Sequence, residues 1–186
     1  MELRTARLRL RPYREADFET LFRELVLDPA VVSLWHDYSD PKLTVGDKRA
    51  MAERDLGSWI EEGIAAGYPT WILEAADPAL GTVGEFVGAA GVFPPENEWG
   101  PEPEVGCLLA SRHHGRGLAT EGLSAVIADA TERLGIPVLV AIIDEENAAS
   151  VRLVDKCGFV LERSFTGGDG AACRRYVRRA GDEGRR

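Results

Sequence analysis

Cysteine is scarce in this 186-residue chain, and Cys107, Cys157 and Cys173 are odd in number, far apart and never in a Cys-x-x-Cys pair. A disulfide framework and the common zinc spacings are excluded, and a reducing cytoplasm is expected. Basic charge is also in short supply: 22 Lys and Arg stand against 31 Asp and Glu, a net −9. Phosphate neutralisation needs clustered cations, so nucleic acid is not an expected partner. A charged partner is expected to be cationic. The longest apolar run, Ile136 to Ile143, falls far short of the about 20 residues of a membrane span. The opening MELRTARLRLRPYREAD carries charge throughout and has no apolar signal region, so no membrane or secretory role is read from it. No repeat or linker divides the chain, and its length is that of one domain.

What is present is an alternation of strand and helix periods. Leu8 and Leu10 alternate with Arg7, Arg9 and Arg11, a half-buried strand; Phe18, Leu21, Phe22, Leu25 and Val26 recur at helical spacing up to Pro29. Thr44 with Asp47 reads as a capping box, opening a helix through Met51, Leu56, Trp59, Ile60 and Ile64. Residues 71–74 and 86–92 read as an antiparallel hairpin, 105–109 as a further strand, and 119–134 as a helix stopped by Gly135 and Pro137. Val138 to Ile143 is apolar on both faces, as a central strand requires. Asn147 to Lys156 reads as a short helix with Gly158 beyond its end, followed by strands at 159–163 and 173–177. The expected fold class is α+β (α/β) with a mixed sheet. The expected domain is 1–177, with a charged flexible tail at 178–186.

Chemistry concentrates in Val105-Gly-Cys-Leu-Leu-Ala-Ser-Arg-His-His-Gly-Arg-Gly-Leu-Ala-Thr-Glu121. A strand enters a loop with glycines at 115 and 117, and a helix starts at once. Unpaired N–H groups and the helix dipole favour an anion there, glycines allow close approach, and Arg112 and Arg116 add charge. A P-loop needs Gly-x-x-x-x-Gly-Lys-Ser/Thr, which is missing, and a dinucleotide fingerprint needs a third Gly or Ala where Thr120 stands. On this segment alone, a glycine-relieved turn before a helix stays equally open.

A second motif, Asn147-Ala-Ala-Ser150 leading to Gly158-Phe159, begins where the central strand ends. Together the two patterns resemble the GNAT superfamily of acetyl-CoA-dependent N-acetyltransferases. The phosphate loop Arg/Gln-x-x-Gly-x-Gly/Ala is matched by Arg112, Gly115 and Gly117. The later Asn-x-x-Ser/Ala and Gly-Phe are matched by Asn147, Ser150, Gly158 and Phe159. Thr5 to Pro12 and Glu104-Val-Gly106 resemble the RimJ/RimL-like branch, which acetylates ribosomal-protein N-termini.

The resemblance implies a mixed, mostly antiparallel central sheet whose fourth and fifth strands splay, flanked by helices, with acetyl-CoA as co-substrate and no metal. Pantetheine would lie in the gap beside Cys107, Leu108 and Leu109. Arg112, Gly115, Arg116, Gly117, Leu118 and Ala119 would surround the pyrophosphate; Asn147 would bond pantetheine and Arg152 a phosphate. The acceptor would be an amine, a protein N-terminus or a small molecule, bordered by Trp35 and Tyr38, and a homodimer is compatible with the pattern. Glu104 is the expected base, with a solvated or salt-bridged strand-end carboxylate as its structural alternative. The usual acid, a Tyr, is replaced by Val154, which leaves Ser150 as the candidate hydroxyl. That departure also keeps open a non-catalytic acyl-CoA-binding module. Adjacent His113 and His114 have no third ligand placed beside them, and are expected to pack on the cofactor rather than hold a metal.

Overall fold

The computed structural model describes residues 1–33, 38–95, 100–167 and 170–181, without the side chains of 58, 59 and 62. An eight-stranded sheet runs in the order β1-β2-β3-β4-β5-β6-β8-β7. Its strands are β1 (Leu3–Arg4), β2 (Leu8–Pro12), β3 (Thr70–Ala75), β4 (Phe86–Phe93), β5 (Glu104–Leu109), β6 (Val138–Asp144), β7 (Val160–Thr166) and β8 (Ala172–Arg179). Every neighbouring pair is antiparallel except β5 with β6. The fourth and fifth strands of the sequence reading are therefore β5 and β6, displaced by one because β1 carries too little pattern to be seen.

The helices are α1 (Phe18–Leu21, continued by a wider turn over Phe22–Val26), α2 (Pro29–Val32), α3 (Val45–Ala65), α4 (Leu118–Ala128, continued over Asp129–Arg133) and α5 (Ala148–Lys156). At the start of α3 the hydroxyl of Thr44 accepts from Asp47 N, and the Asp47 carboxylate accepts from Thr44 N and Oγ1, so the capping box is formed. Pro29 ends nothing directly. It is the first residue of α2, where its missing N–H costs no helical bond, behind an Asp28 cap. The tail begins later than the sequence suggests, since Arg178 and Arg179 pair with Leu139 and Val138.

One face of the sheet buries Leu8, Leu10, Trp71, Leu73, Val105 and Leu109 against Leu118, Leu123, Val126 and Ile127 of α4. A Cβ at Gly122 would stand 2.5 Å from Leu73 Cδ2, so the missing side chain lets α4 lie close to the strands. The opposite face carries Ile72, Phe86, Ala89 and Leu108 under Leu21, Leu25 and Val31. Burying a side chain of this size stabilises by roughly 1.5–3 kcal/mol. Strand β5 is paired with β4 and packed on both faces by these two layers.

Candidate active site

Strands β5 and β6 are bridged at Glu104 and Val140 and nowhere else among the described residues. Past that point β5 pairs only with β4, and β6 only with β8. A wedge opens along 105–109 whose β5 edge has no strand partner, a template for an extended amide-bearing ligand. At its apex Glu104 Oε1 accepts the N–H of Ile142 at 3.2 Å. The carboxylate thus reaches across the split to a backbone group of β6.

The wedge leads into the loop 110–117. Ala110 N donates to Val87 O, Ser111–His113 form one 3₁₀ turn, and Gly115 and Gly117 take φ of 71° and 76°. Those left-handed values are why glycine stands at both places. Gly117 is the N-cap of α4 and has no side chain to cap with. The first N–H of the helix to find a helical acceptor is that of Glu121, on Gly117 O at 3.1 Å. Among the described residues the N–H groups of Leu118, Ala119 and Thr120 have no acceptor, and the helix dipole adds to their field. These are groups that an anion would satisfy.

The loop's two arginines divide. Arg112, expected at a phosphate, is committed elsewhere: Nε donates to Glu85 at 3.0 Å, Nη1 to Glu24, and Nη2 to Phe86 O at 2.8 Å. It ties the loop to β4 and to the Phe22–Val26 turn, and its hydrogen bond holds the Glu85 carboxyl below the ordinary range. Arg116 instead donates to two neutral carbonyls, Ala79 O at 2.9 Å and Leu80 O at 3.5 Å. It has no carboxylate partner among the described residues, so its charge stays uncompensated beside the uncapped helix end.

The two adjacent histidines sit in different surroundings, His113 buried and His114 exposed. His113 is 2 % exposed with both ring nitrogens unpartnered, Nε2 lying 3.9 Å from Glu85. Burial, aided by Arg112, pushes its pKa down, so it adds no charge to the loop. His114 Nε2 lies 2.9 Å from Leu109 O. No cluster of three or more His, Cys, Asp or Glu able to hold a metal exists among the described residues.

Along β5, Leu109 is buried in the core and offers only backbone to the wedge, while Cys107 and Leu108 keep partial exposure. The Cys107 thiol is pushed up to about 12 by burial, with Cys157 adding to it, which removes it as a nucleophile at neutral pH. Asn147 caps α5 by accepting Ser150 N at 3.0 Å. The Ser150 hydroxyl is half-buried and makes no hydrogen bond among the described residues, and Arg152 is exposed with no ion-pair partner there. Val154 is 3 % exposed in the core and supplies no proton. Tyr38, expected beside the acceptor, turns into the core. It is 0 % exposed among Phe22, Val26, Val32 and Ala52, and its hydroxyl donates to Asp55, because the apolar underside of α3 needs covering. Trp35 lies outside the described residues.

Sequence reading places Thr5, Arg7 and Glu121 within its patterns but gives none of them a role at the site. Glu121 Oε1 accepts Thr5 Oγ1 at 2.5 Å and Arg7 N at 2.8 Å, and Oε2 accepts Arg7 Nε at 2.7 Å. The only local signal was an acid in the first turn of a helix.

Comparison with known proteins bears on the same segments. The family described as acetyltransferase (GNAT) domain matches residues 7–160. The protein YkkB of Bacillus subtilis is 30% identical over 165 residues, 88% of each chain. An L-methionine sulfoximine/L-methionine sulfone acetyltransferase of Pseudomonas aeruginosa is 28% identical over 72% of this chain and 74% of its own. Among solved structures, a GnaT-family acetyltransferase from Bordetella pertussis superposes with a TM-score of 0.72 at 29% identity, covering 96% of this chain and 99% of that one. A RimL ribosomal L7/L12 α-N-protein acetyltransferase in complex with coenzyme A has the same TM-score of 0.72 at 17% identity, covering 96% and 98%, a likeness of fold.

Proposed function

The chain belongs to the GNAT acetyltransferase family, and on that premise we propose that it moves the acetyl group of acetyl-CoA to a primary amine by direct attack. The observation that carries the reading is the uncapped first turn of α4, behind Gly115 and Gly117, adjoining the strand edge that β5 leaves unpaired. One feature suits diphosphate and the other the amides of pantetheine, and the loop 110–117 joins them. The RimL structure of the same fold holds coenzyme A, which supports the assignment.

Acetyl-CoA supplies an activated thioester: the amine lone pair forms the C–N bond, the C–S bond breaks, and the thiolate leaves with the electron pair. The protein's part is placement and proton movement. Amides of residues 118–120 and the Arg116 guanidinium hold phosphate, while Arg112 shapes the loop from behind. Backbone N–H groups along 105–109 polarise the carbonyl. Most of the amine is protonated at neutral pH, so Glu104 at the wedge apex takes its proton, through water. Ser150 gives a proton to the thiolate, the role for which Val154 has no group.

For the acceptor, both the negative net charge and the named relatives favour an amine. A small amino-acid-like amine and a peptide N-terminus are the two classes to compare. The free thiols accord with a reducing cytoplasm. No helix of the described residues is long and apolar enough to cross a membrane.

The buried Val154 gives a second reading its one support: an acyl-CoA-binding module without chemistry. Titration with acetyl-CoA followed by a thiol-release assay over a panel of amino acids, polyamines and N-terminal peptides decides between them. Release that depends on one amine class establishes the transferase. Binding with no release from any amine establishes the module, and no binding removes both.

A further inference from the structure

Arg7 lies 109 positions before Arg116 in the sequence, yet Arg7 Nη1 donates to the carbonyl oxygen of Arg116 at 2.9 Å. Its Nε and Nη2 both reach Glu121 Oε2 at 2.7 Å, and its backbone N–H reaches Oε1 at 2.8 Å. Thr5 Oγ1 completes the set at 2.5 Å. With both oxygens of Glu121 occupied, the guanidinium fork is fixed in orientation, and Nη1 is the arm left for the loop. The ion pair is no loose surface contact, since the Arg7 side chain is 34% exposed and that of Glu121 17%.

The peptide joining Arg116 to Gly117 is planar and trans, so its C=O and N–H point to opposite sides. A carbonyl held toward Arg7 therefore turns the Gly117 N–H away from Arg7. That N–H has no acceptor among the described residues. Gly117 has φ of 76°, but glycine tolerates negative φ about as readily. A rotation of this one peptide plane would exchange a donor for a carbonyl oxygen at the mouth of the uncapped helix. A carbonyl there repels an anion where an N–H attracts it.

We propose that Arg7 is a positioning residue of the cofactor site: held by Glu121, which Thr5 braces in turn, it locks the 116–117 peptide with its N–H presented to diphosphate. The proposal rests on the reading of this loop as the seat of the coenzyme A phosphates. It assigns to the β1–β2 turn a share in cofactor affinity that is exerted through the backbone and not by direct contact.

Isothermal titration with coenzyme A, the thermal transition of the free protein and the ¹⁵N–¹H signal of Gly117 test it in wild type, Arg7→Ala, Arg7→Lys and Glu121→Gln. The expected result for Arg7→Ala is a dissociation constant raised about tenfold, the loss of one charge-assisted bond's worth of organisation. Coenzyme A is expected to shift the Gly117 signal strongly in wild type and weakly in the variant. Arg7→Lys keeps charge beside Glu121 but has no second arm for Arg116 O. It is expected to retain the wild-type melting temperature within a few degrees while binding as poorly as Arg7→Ala. Should Arg7→Ala not fold, the comparison of wild type with Arg7→Lys decides. Equal affinity for wild type and Arg7→Lys, or a Gly117 signal that responds alike in both, overturns the proposal and leaves the functional reading intact. A wild-type protein that does not bind coenzyme A overturns the functional reading itself, and the proposal with it.

Discussion

Glu104 and Ile142 are joined by a hydrogen bond from the Ile142 N–H to Glu104 Oε1, 3.2 Å long, beside the single bridge at which β5 and β6 meet. A side chain on one strand thus satisfies a backbone donor that the splay has deprived of a strand partner. The same bond fixes the carboxylate at the inner end of the wedge. This is the carboxylate to which the proposed function gives the role of base.

Replacing Glu104 by Gln separates the two roles, because the amide oxygen still accepts from Ile142. Stability is expected to change by less than about 1 kcal/mol. Loss of a general base is expected to lower kcat/KM by about 10²-fold or more and to remove the acidic limb of its pH profile. An unchanged profile would show that Glu104 serves only the strands.

Arg112 and Arg116 are four residues apart and are expected to fail in opposite ways. Arg112→Ala strands Glu24, Glu85 and Phe86 O. With these groups 41%, 22% and 32% exposed for Arg112, Glu24 and Glu85, solvent screening limits the loss to about 1 kcal/mol. That corresponds to about 2–4 °C in Tm for a chain of this length, with coenzyme A affinity little changed. Arg116→Ala gives up no ion pair. It is expected to leave Tm nearly constant, raise the coenzyme A dissociation constant about tenfold and flatten its salt dependence. Calorimetry and thermal melts at two salt concentrations read Tm, the dissociation constant and its salt dependence.

The capping box at Thr44, the hairpin of β3 and β4, the two left-handed glycines and the Asn147 cap are all local devices. The caps and the glycines act within a few positions, and the hairpin joins strands consecutive in the chain, so the sequence carries a signal for each. The roles of Arg112, Tyr38 and Arg7 were not legible there, because each is set by a partner distant along the chain. A guanidinium next to an anion loop looks like a phosphate ligand until Glu24 and Glu85 fold against it. An aromatic residue before a helix looks like a cleft wall until the helix lies on it. The β1–β2 turn reveals nothing of Glu121, which sits 114 positions from Arg7. Pattern placed the candidate site, and tertiary contact decided which of its residues are available.

Gly117→Val tests the backbone requirement. A β-branched residue in the left-handed region costs about 1–2 kcal/mol, and a Cβ would stand 3.6 Å from Arg7 Nη2. A drop in Tm of several degrees and a loss of coenzyme A binding beyond that of Arg116→Ala are expected. Wild-type affinity in a folded Gly117→Val protein would show that the phosphates rest elsewhere.

His113 gives the pH dependence of stability a definite sign. Burial, then Arg112, lowers its folded pKa below the ordinary 6.5, so the unfolded chain binds the proton more readily. Its contribution is neutral above about pH 6.5 and becomes a growing penalty as pH falls from there toward the lower folded value. Urea melts of wild type and His113→Leu between pH 7.5 and 5 are expected to diverge, the wild type losing stability faster toward acid. Parallel curves would mean that His113 is not desolvated.

The proposed function stands or falls with coenzyme A lying on the free amides of the α4 first turn and along the open edge of β5. Backbone ¹⁵N–¹H signals followed during titration with that compound report on both places at once. Large shifts and slowed hydrogen exchange are expected at Gly117, Leu118, Ala119 and Thr120 and along Val105–Leu109. Saturable shifts confined to other segments, or none at millimolar ligand, would contradict the proposal.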